Sequence, residues 1–210
     1  MCNYTGLVPD VIGGHGPKTA PGTEGVKELN EIFKTKDEGG ILNKHGVVEY
    51  VNGIAPGVFV TVSTPNDEIA YQMRYHSMGP GPLWTLYRPY HLCNLETPLT
   101  VAKAVIDGEV TCVAKDGLVA ECITRAKIDL KAGQTIDGIG GYTTHGSICT
   151  AEEANEKGYV PFGLVTNKAV MKQDVKKGTL ITYDMIDLDK TTLIYKLRKE
   201  QDAMYGRYVL

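Results

Sequence analysis

Arg88, Tyr90, His91, Asn94 and Glu96 form the densest run of chemically capable side chains in this 210-residue sequence. An arginine fork suits a phosphate or carboxylate on a small substrate, because its planar donors match two acceptor oxygens at once. A histidine beside it can exchange a proton with a hydroxyl as a ketone is reduced. Asn94 is suited to orienting a substrate hydroxyl, and Tyr90 and Glu96 complete the polar set. The structural alternative is an Arg88–Glu96 ion pair with His91 on a backbone carbonyl. A second group, Asn3, Thr5, Gly6 and His15, lies in a glycine-rich opening segment, where the absence of Cβ atoms lets backbone approach a ligand.

Other titratable residues are spread out. His45, His76 and His145 have no i, i+4 partner and no third ligand in reach, so no metal site is expected. The five cysteines, Cys2, Cys93, Cys112, Cys122 and Cys149, contain no CxxC pair, which argues against a disulfide framework and a zinc site alike. Lys and Arg total 22 against 25 Asp and Glu, for a net charge of −3, and no basic stripe marks a nucleic-acid binder. No apolar run approaches the roughly 18 residues that cross a bilayer. The first residues, Met-Cys-Asn-Tyr-Thr-Gly, do not read as a signal peptide, and a cytoplasmic location is expected.

The elements that must position these residues read as α+β. Thr23 as N-cap with Val26, Leu29, Ile32 and Phe33 at helical spacing predicts a helix to about Lys36. Segments 47–51, 58–62 and 68–75 are expected to pair as an antiparallel meander with that helix on one face. Thr97-Pro98 is the expected start of a helix running to Ile106. The last third is different. Lys127-x-Asp129-Leu130-Lys131-x-Gly133 recurs as Lys172-x-Asp174-Val175-Lys176-x-Gly178, 45 positions on. Each copy follows a β-rich stretch (119–126 and 164–172), and Thr150-x-x-Glu153 between them is a capping box. A pseudo-symmetric β-domain over 114–190 is therefore expected, after a substrate-type α+β domain at 1–113 and before a tail at 191–210.

The repeated turn, with Tyr183-Asp184-Met185-Ile186 after its second copy, resembles the SAF domain, a β-clip module. Asn3-Tyr4-Thr5-Gly6-Leu7-Val8-Pro9-Asp10, His15-Gly16-Pro17, Gly79-Pro80-Gly81-Pro82, Tyr87-Arg88-Pro89-Tyr90-His91-Leu92 and Gly138-Ile139-Gly140-Gly141-Tyr142 resemble the C-terminal half of homoserine-dehydrogenase-like oxidoreductases that carry a SAF domain. The DXR-like enzymes are one branch of that family. The resemblance implies NAD(P) as cofactor and a small phosphorylated or acidic polyol or keto compound as substrate. It also implies His91, Arg88 and Asn94 as catalytic residues, with Tyr90, Glu96, His15 and Asn3 on the substrate.

One motif of that family is missing. A nucleotide-binding Rossmann domain needs a strand, a GxGxxG turn and a helix whose N-terminus holds the pyrophosphate. Gly138-x-Gly140-Gly141 has the wrong spacing, and no strand precedes Gly13-Gly14-His15-Gly16. The cofactor is therefore expected on a Rossmann domain or subunit outside this chain. The rival reading is a non-catalytic SAF binding module that recognises a sugar or a partner protein. Exposed meander edges lead to the further expectation of a homo-oligomer.

Overall fold

The computed structural model describes residues 1–54, 56–89, 93–115 and 117–206. The fold is α+β, with small antiparallel sheets and helices, and it divides into two compact units. One is His15–Val113; the other joins Met1–Gly14 to Ala114–Leu210.

In His15–Val113 the helix Thr23–Ile32 lays Leu29, fully buried, onto Phe33, Leu42 and Ile54. It starts at Thr23 itself, behind Gly22 at φ 67°, with no side-chain cap bond, one residue from the expected N-cap. Strands Gly57–Val62 and Trp84–Pro89 pair antiparallel, with Phe59 opposite Tyr87 and Val60 opposite Leu86. Alternation sends Phe59 and Tyr87 into the core, where Phe33 and Phe59 stack at 5.4 Å. Thr85 bonds Asn30 of the helix at 2.7 Å and Thr61 across the ladder at 2.8 Å. The opposite face of the ladder leaves Val58, Val60 and Leu86 exposed.

The third meander strand expected at 68–75 is instead a helix, Asp67–Tyr75. Asn66 accepts from the N–H groups of Glu68 and Ile69, Asp67 and Glu68 sit in the positive first turn, and Gln72 bonds Glu68 at 2.9 Å. The strand expected at 47–51 shortens to Val47–Val48. The helix expected from Thr97 begins four residues earlier, as Cys93–Ala102, with Pro98 inside it, and passes into a π-helical segment, Lys103–Asp107. None of its described residues is buried, and Leu95, Leu99, Val101, Val105 and Ile106 are all exposed.

In the other unit, Ala120–Ala126 and Thr144–Thr150 form an antiparallel ladder with Ile123 opposite Ser147. The 45-residue repeat becomes a two-fold arrangement of backbone bonds. Leu130 and Val175 exchange N–H···O bonds at 2.8 and 2.9 Å. Gly133 donates to Met171 as Gly178 donates to Ala126, both at 2.8 Å, and Ile136 to Ala169 as Ile181 to Thr124, both at 2.9 Å. Each aspartate caps the other copy's turn. Asp129 accepts from the Lys177 N–H and from Lys176 Nζ, and Asp174 from the Ala132 N–H and Lys131 Nζ. Gly133 and Gly178 take φ 79° and 86°, a turn conformation that costs an L side chain strain. Beneath the turns, Leu130, Ile136, Met171, Val175 and Ile181 are buried together.

Thr150 caps the helix Ala151–Glu156 through the Glu153 N–H. The β-stretch expected at 164–172 is a short 3-10 turn at Phe162–Leu164 followed by the two-residue strand Val170–Met171. The segment expected to be a tail is a helix, Leu193–Met204, capped by Thr192. It buries Tyr195 in the main core. Its Arg198 reaches Glu121 at 2.7 Å and Asp202 at 2.8 Å, and all three side chains are 15 % exposed or less. Among the described residues no helix is long and apolar enough to cross a membrane.

Candidate functional site

The best-organised acid–base pair in the described residues of His15–Val113 is His15 with Glu49. Glu49 Oε1 meets the ring Nδ1 of His15 at 2.8 Å, and Oε2 accepts the His15 backbone N–H at 2.9 Å. One carboxylate thus holds both the ring and the main chain of the same residue. The Glu49 side chain is 4 % exposed and the His15 side chain 20 %, so the pair stands at the edge of solvent with its acid sheltered.

Local backbone puts it there. The segment after His15 runs alongside residues 50–53: Asn52 N–H donates to Pro17 O and Thr19 N–H to Asn52 O, each at 2.8 Å, and Asn52 Nδ2 donates to Gly16 O at 2.9 Å. Gly16 has φ 53°, and a Cβ there would come within 2.4 Å of the Tyr50 ring. The positive φ therefore favours glycine at 16, and a side chain there would also displace the exposed Tyr50 ring.

The chemistry follows from which nitrogen is engaged. A carboxylate on Nδ1 favours the proton on that nitrogen, so the neutral ring presents its basic lone pair at Nε2. This is the arrangement needed to exchange a proton with a substrate hydroxyl.

The other candidates are placed differently. Arg88 is exposed and its guanidinium bonds the Glu96 carboxylate, the ion pair anticipated as the structural alternative. Asn94 is exposed near the start of the Cys93–Ala102 helix. Tyr90 and His91 lie outside the described residues. Asn3 belongs to the other unit, where its Oδ1 accepts the N–H groups of Val119 and Ala120, both at 2.9 Å. That oxygen holds the entry to the Ala120–Ala126 strand. Glu49 escaped the sequence reading: it lies 34 positions from His15, and its one signal was an acid inside the apolar run Val47-Val48-Glu49-Tyr50-Val51.

Neither glycine run leads directly into a helix. Around 138–141, Asp137 accepts the Tyr142 N–H at 2.5 Å and the Thr143 N–H at 3.2 Å, the Gly141 N–H donates to Gly138 O at 3.3 Å, and Lys127 Nζ donates to Gly141 O at 2.6 Å. The strand Thr144–Thr150 follows this run, where a pyrophosphate site needs a helix N-terminus. The run at Gly13–Gly16 likewise opens no helix, the next one starting at Thr23.

A comparison with family models bears on the reaction class of this part of the chain. Residues 1–97 match the family described as oxidoreductase DRL, catalytic domain. The matched stretch holds Asn3, His15, Glu49, Arg88, Asn94 and Glu96, and it supports an oxidoreductase. A search of curated proteins found no match.

Proposed function

We propose that this chain is the substrate-side portion of an NAD(P)-dependent oxidoreductase acting on a small phosphorylated or acidic polyol or keto compound. His15 is its proton carrier, working through Nε2, and Glu49 is the positioning residue. The observation that carries the reading is the two-point grip of a sheltered carboxylate on His15, inside residues that match an oxidoreductase catalytic domain. Alcohol–ketone interconversion needs a group that takes the hydroxyl proton in one direction and returns it in the other. Arg88 serves the anionic end of the substrate with donors that Glu96 does not use, and Asn94 orients a hydroxyl.

The finer assignment is homoserine-dehydrogenase-like or DXR-like, with residues 114–190 as a SAF-type β-clip. The reciprocal Asp129 and Asp174 turns support the β-clip assignment. The cytoplasm is the proposed location. Because the glycine runs do not fit a dinucleotide, NAD(P) is assigned to a Rossmann domain or subunit beyond these residues. The same misfit is the one observation that favours the rival, a binding module without redox chemistry.

Imidazole 15N spectra test the proposal. In the unliganded chain His15 is expected as the Nδ1–H tautomer. A 2-hydroxy acid or sugar phosphate should shift Nε2 selectively, and Glu49→Gln should blur the tautomer and weaken that response. A His15 signal that ignores every hydroxy acid and sugar phosphate at millimolar concentration would sink it. Titration with NADPH and NADH is expected to give no saturable fluorescence change at micromolar levels; saturable binding would return the cofactor to this chain.

A further inference from the structure

A cleft of about 290 Å³ opens beside the strand pair Val170–Met171 and Ile186–Asp187, in the unit that carries the repeat. Ile186, Leu188 and Tyr195, all members of the main core, line it, and Tyr195 is only 7 % exposed. Tyr183 lines it too. A buried tyrosine ordinarily finds a partner for its hydroxyl, yet neither of these hydroxyls has one among the described residues. Burial pushes the Tyr183 phenol up to about 12, so it stays a neutral donor. Four charged side chains border the same cleft. Lys172 Nζ donates to Tyr183 O at 3.2 Å, and Asp184 accepts from the Thr182 hydroxyl. Asp187 and Lys190 are exposed and pair neither with each other nor with another described residue.

The duplication shows that the fold does not impose this lining. Lys172 corresponds to Lys127, and each ammonium reaches a carbonyl of the loop that follows, Tyr183 O and Gly141 O. At the same 45-residue offset, Tyr183, Asp184, Ile186 and Asp187 stand where the first copy has Gly138, Ile139, Gly141 and Tyr142. Lys190 stands where it has His145. Two matched turns therefore form whether or not these side chains follow, which leaves the polar lining to a task other than folding.

We infer that this cleft binds a free α-amino acid with an apolar side chain. Its volume lies at the small end of ligand sites, which admits a single small molecule and not a dinucleotide. Charge selects the class. The two lysines and two aspartates sum to zero, so a dianion such as a sugar phosphate finds no net attraction. Any occupant strips water from Asp187 and Lys190, and a sheltered charge is costly unless an opposite charge replaces that water. A neutral sugar supplies only hydroxyls. A zwitterion supplies an ammonium for Asp187 and a carboxylate for Lys190 and the phenol donors. Ile186, Leu188 and the tyrosine rings take the apolar side chain.

Isothermal titration calorimetry of the full chain with L-phenylalanine tests the inference. Saturable binding with a dissociation constant of about 1 mM or below is expected. The methyl ester lacks the carboxylate and the N-acetyl derivative lacks the ammonium, and each should bind about tenfold more weakly or worse, the loss of one charge-assisted contact. Asp187→Asn should weaken L-phenylalanine by a similar factor without further weakening the N-acetyl derivative; Lys190→Gln should do so without further weakening the ester. Both side chains are exposed, so circular dichroism should be unchanged. No saturable heat up to about 10 mM, derivatives or variants that bind as tightly as the parent pair, or preferential binding of glucose or inorganic phosphate would each overturn it. Neither His15 nor Glu49 lines the cleft, so these outcomes leave the oxidoreductase reading where it stands.

Discussion

Among the described residues, the unit of Met1–Gly14 and Ala114–Leu210 gathers thirteen buried residues into its main core, from Ala126 to Tyr195, while His15–Val113 gathers four, Leu29 among them. The larger core is closed by duplication: each copy of the turn satisfies the other's amides, and the Leu193–Met204 helix is keyed in through Arg198. The smaller unit spends its sequence otherwise. It leaves one face of its ladder and its last helix apolar and open, and it shelters a carboxylate under His15. One region is organised to complete itself; the other carries the polar groups suited to chemistry and leaves apolar side chains exposed.

The strongest way to break this contrast is Arg198→Ala. Removing the guanidinium leaves Glu121 and Asp202 as sheltered charges that have lost their counter-ion, and the expected cost is about 3–5 kcal/mol. Denaturant unfolding followed by exchange mass spectrometry should locate the loss in 114–206 and spare 15–113. A uniform loss would mean that the units share one cooperative transition.

Leu29→Ala is the matching probe of the small core. It truncates a fully buried side chain, with an expected cost of about 2–5 kcal/mol. Because so few residues share that core, the variant should unfold 15–113 at a denaturant concentration where the repeat unit is still folded.

A smaller effect sharpens the symmetry. Asp129→Asn and Asp174→Asn should lower the midpoint of the repeat unit by equal amounts, since each removes a turn amide's charged acceptor and one lysine contact. Unequal shifts would show the two copies to be energetically different despite matched geometry.

The smallest effect is on pH. Burial, then Arg125 and Lys127, push the His145 imidazole below its ordinary value of 6.5. A depressed folded-state value means that the unfolded chain binds the proton first. The contribution is therefore complete above about pH 6.5 and lost as pH falls through the lower folded value. Asp129, held down by the Lys177 amide and Lys176, and Asp174, held down by Lys131 and the Ala132 amide, behave alike at more acid pH. Chemical denaturation across pH should show the repeat unit weakening first below neutrality, and His145→Gln should remove that first step while leaving the carboxylate step.

Much of this was legible in the residues. The repeat of Asp, Lys and Gly at a fixed offset specified two like turns, because a tight turn needs particular residue types at particular places. The Thr23 helix could be read because its apolar period matches the surface it buries, and the 58–62 strand because β-branched and aromatic residues fill it, although Val58 and Val60 stay exposed. The 68–75 segment is a helix because the Asn66 cap and the acids Asp67 and Glu68 in its first turn outweigh the strand propensity of Ile69, Tyr71 and Tyr75. The helix at 193–204 is not legible in hydrophobic spacing, because Tyr195, Arg198 and Asp202 hold it, a mostly polar seam.

What the sequence by itself determined is local: α+β composition, the duplicated turn, and the glycine runs that cannot open a dinucleotide-binding helix. Only the tertiary structure decided that Glu49 holds His15, that Asn3 is a clamp on strand amides, that Arg88 is occupied by Glu96, and that a helix stands with its apolar side chains uncovered. The reason is physical. Turn geometry and periodicity are written in neighbouring residues, whereas a hydrogen bond between positions 34 apart, or an apolar surface left open, depends on where the chain returns in space.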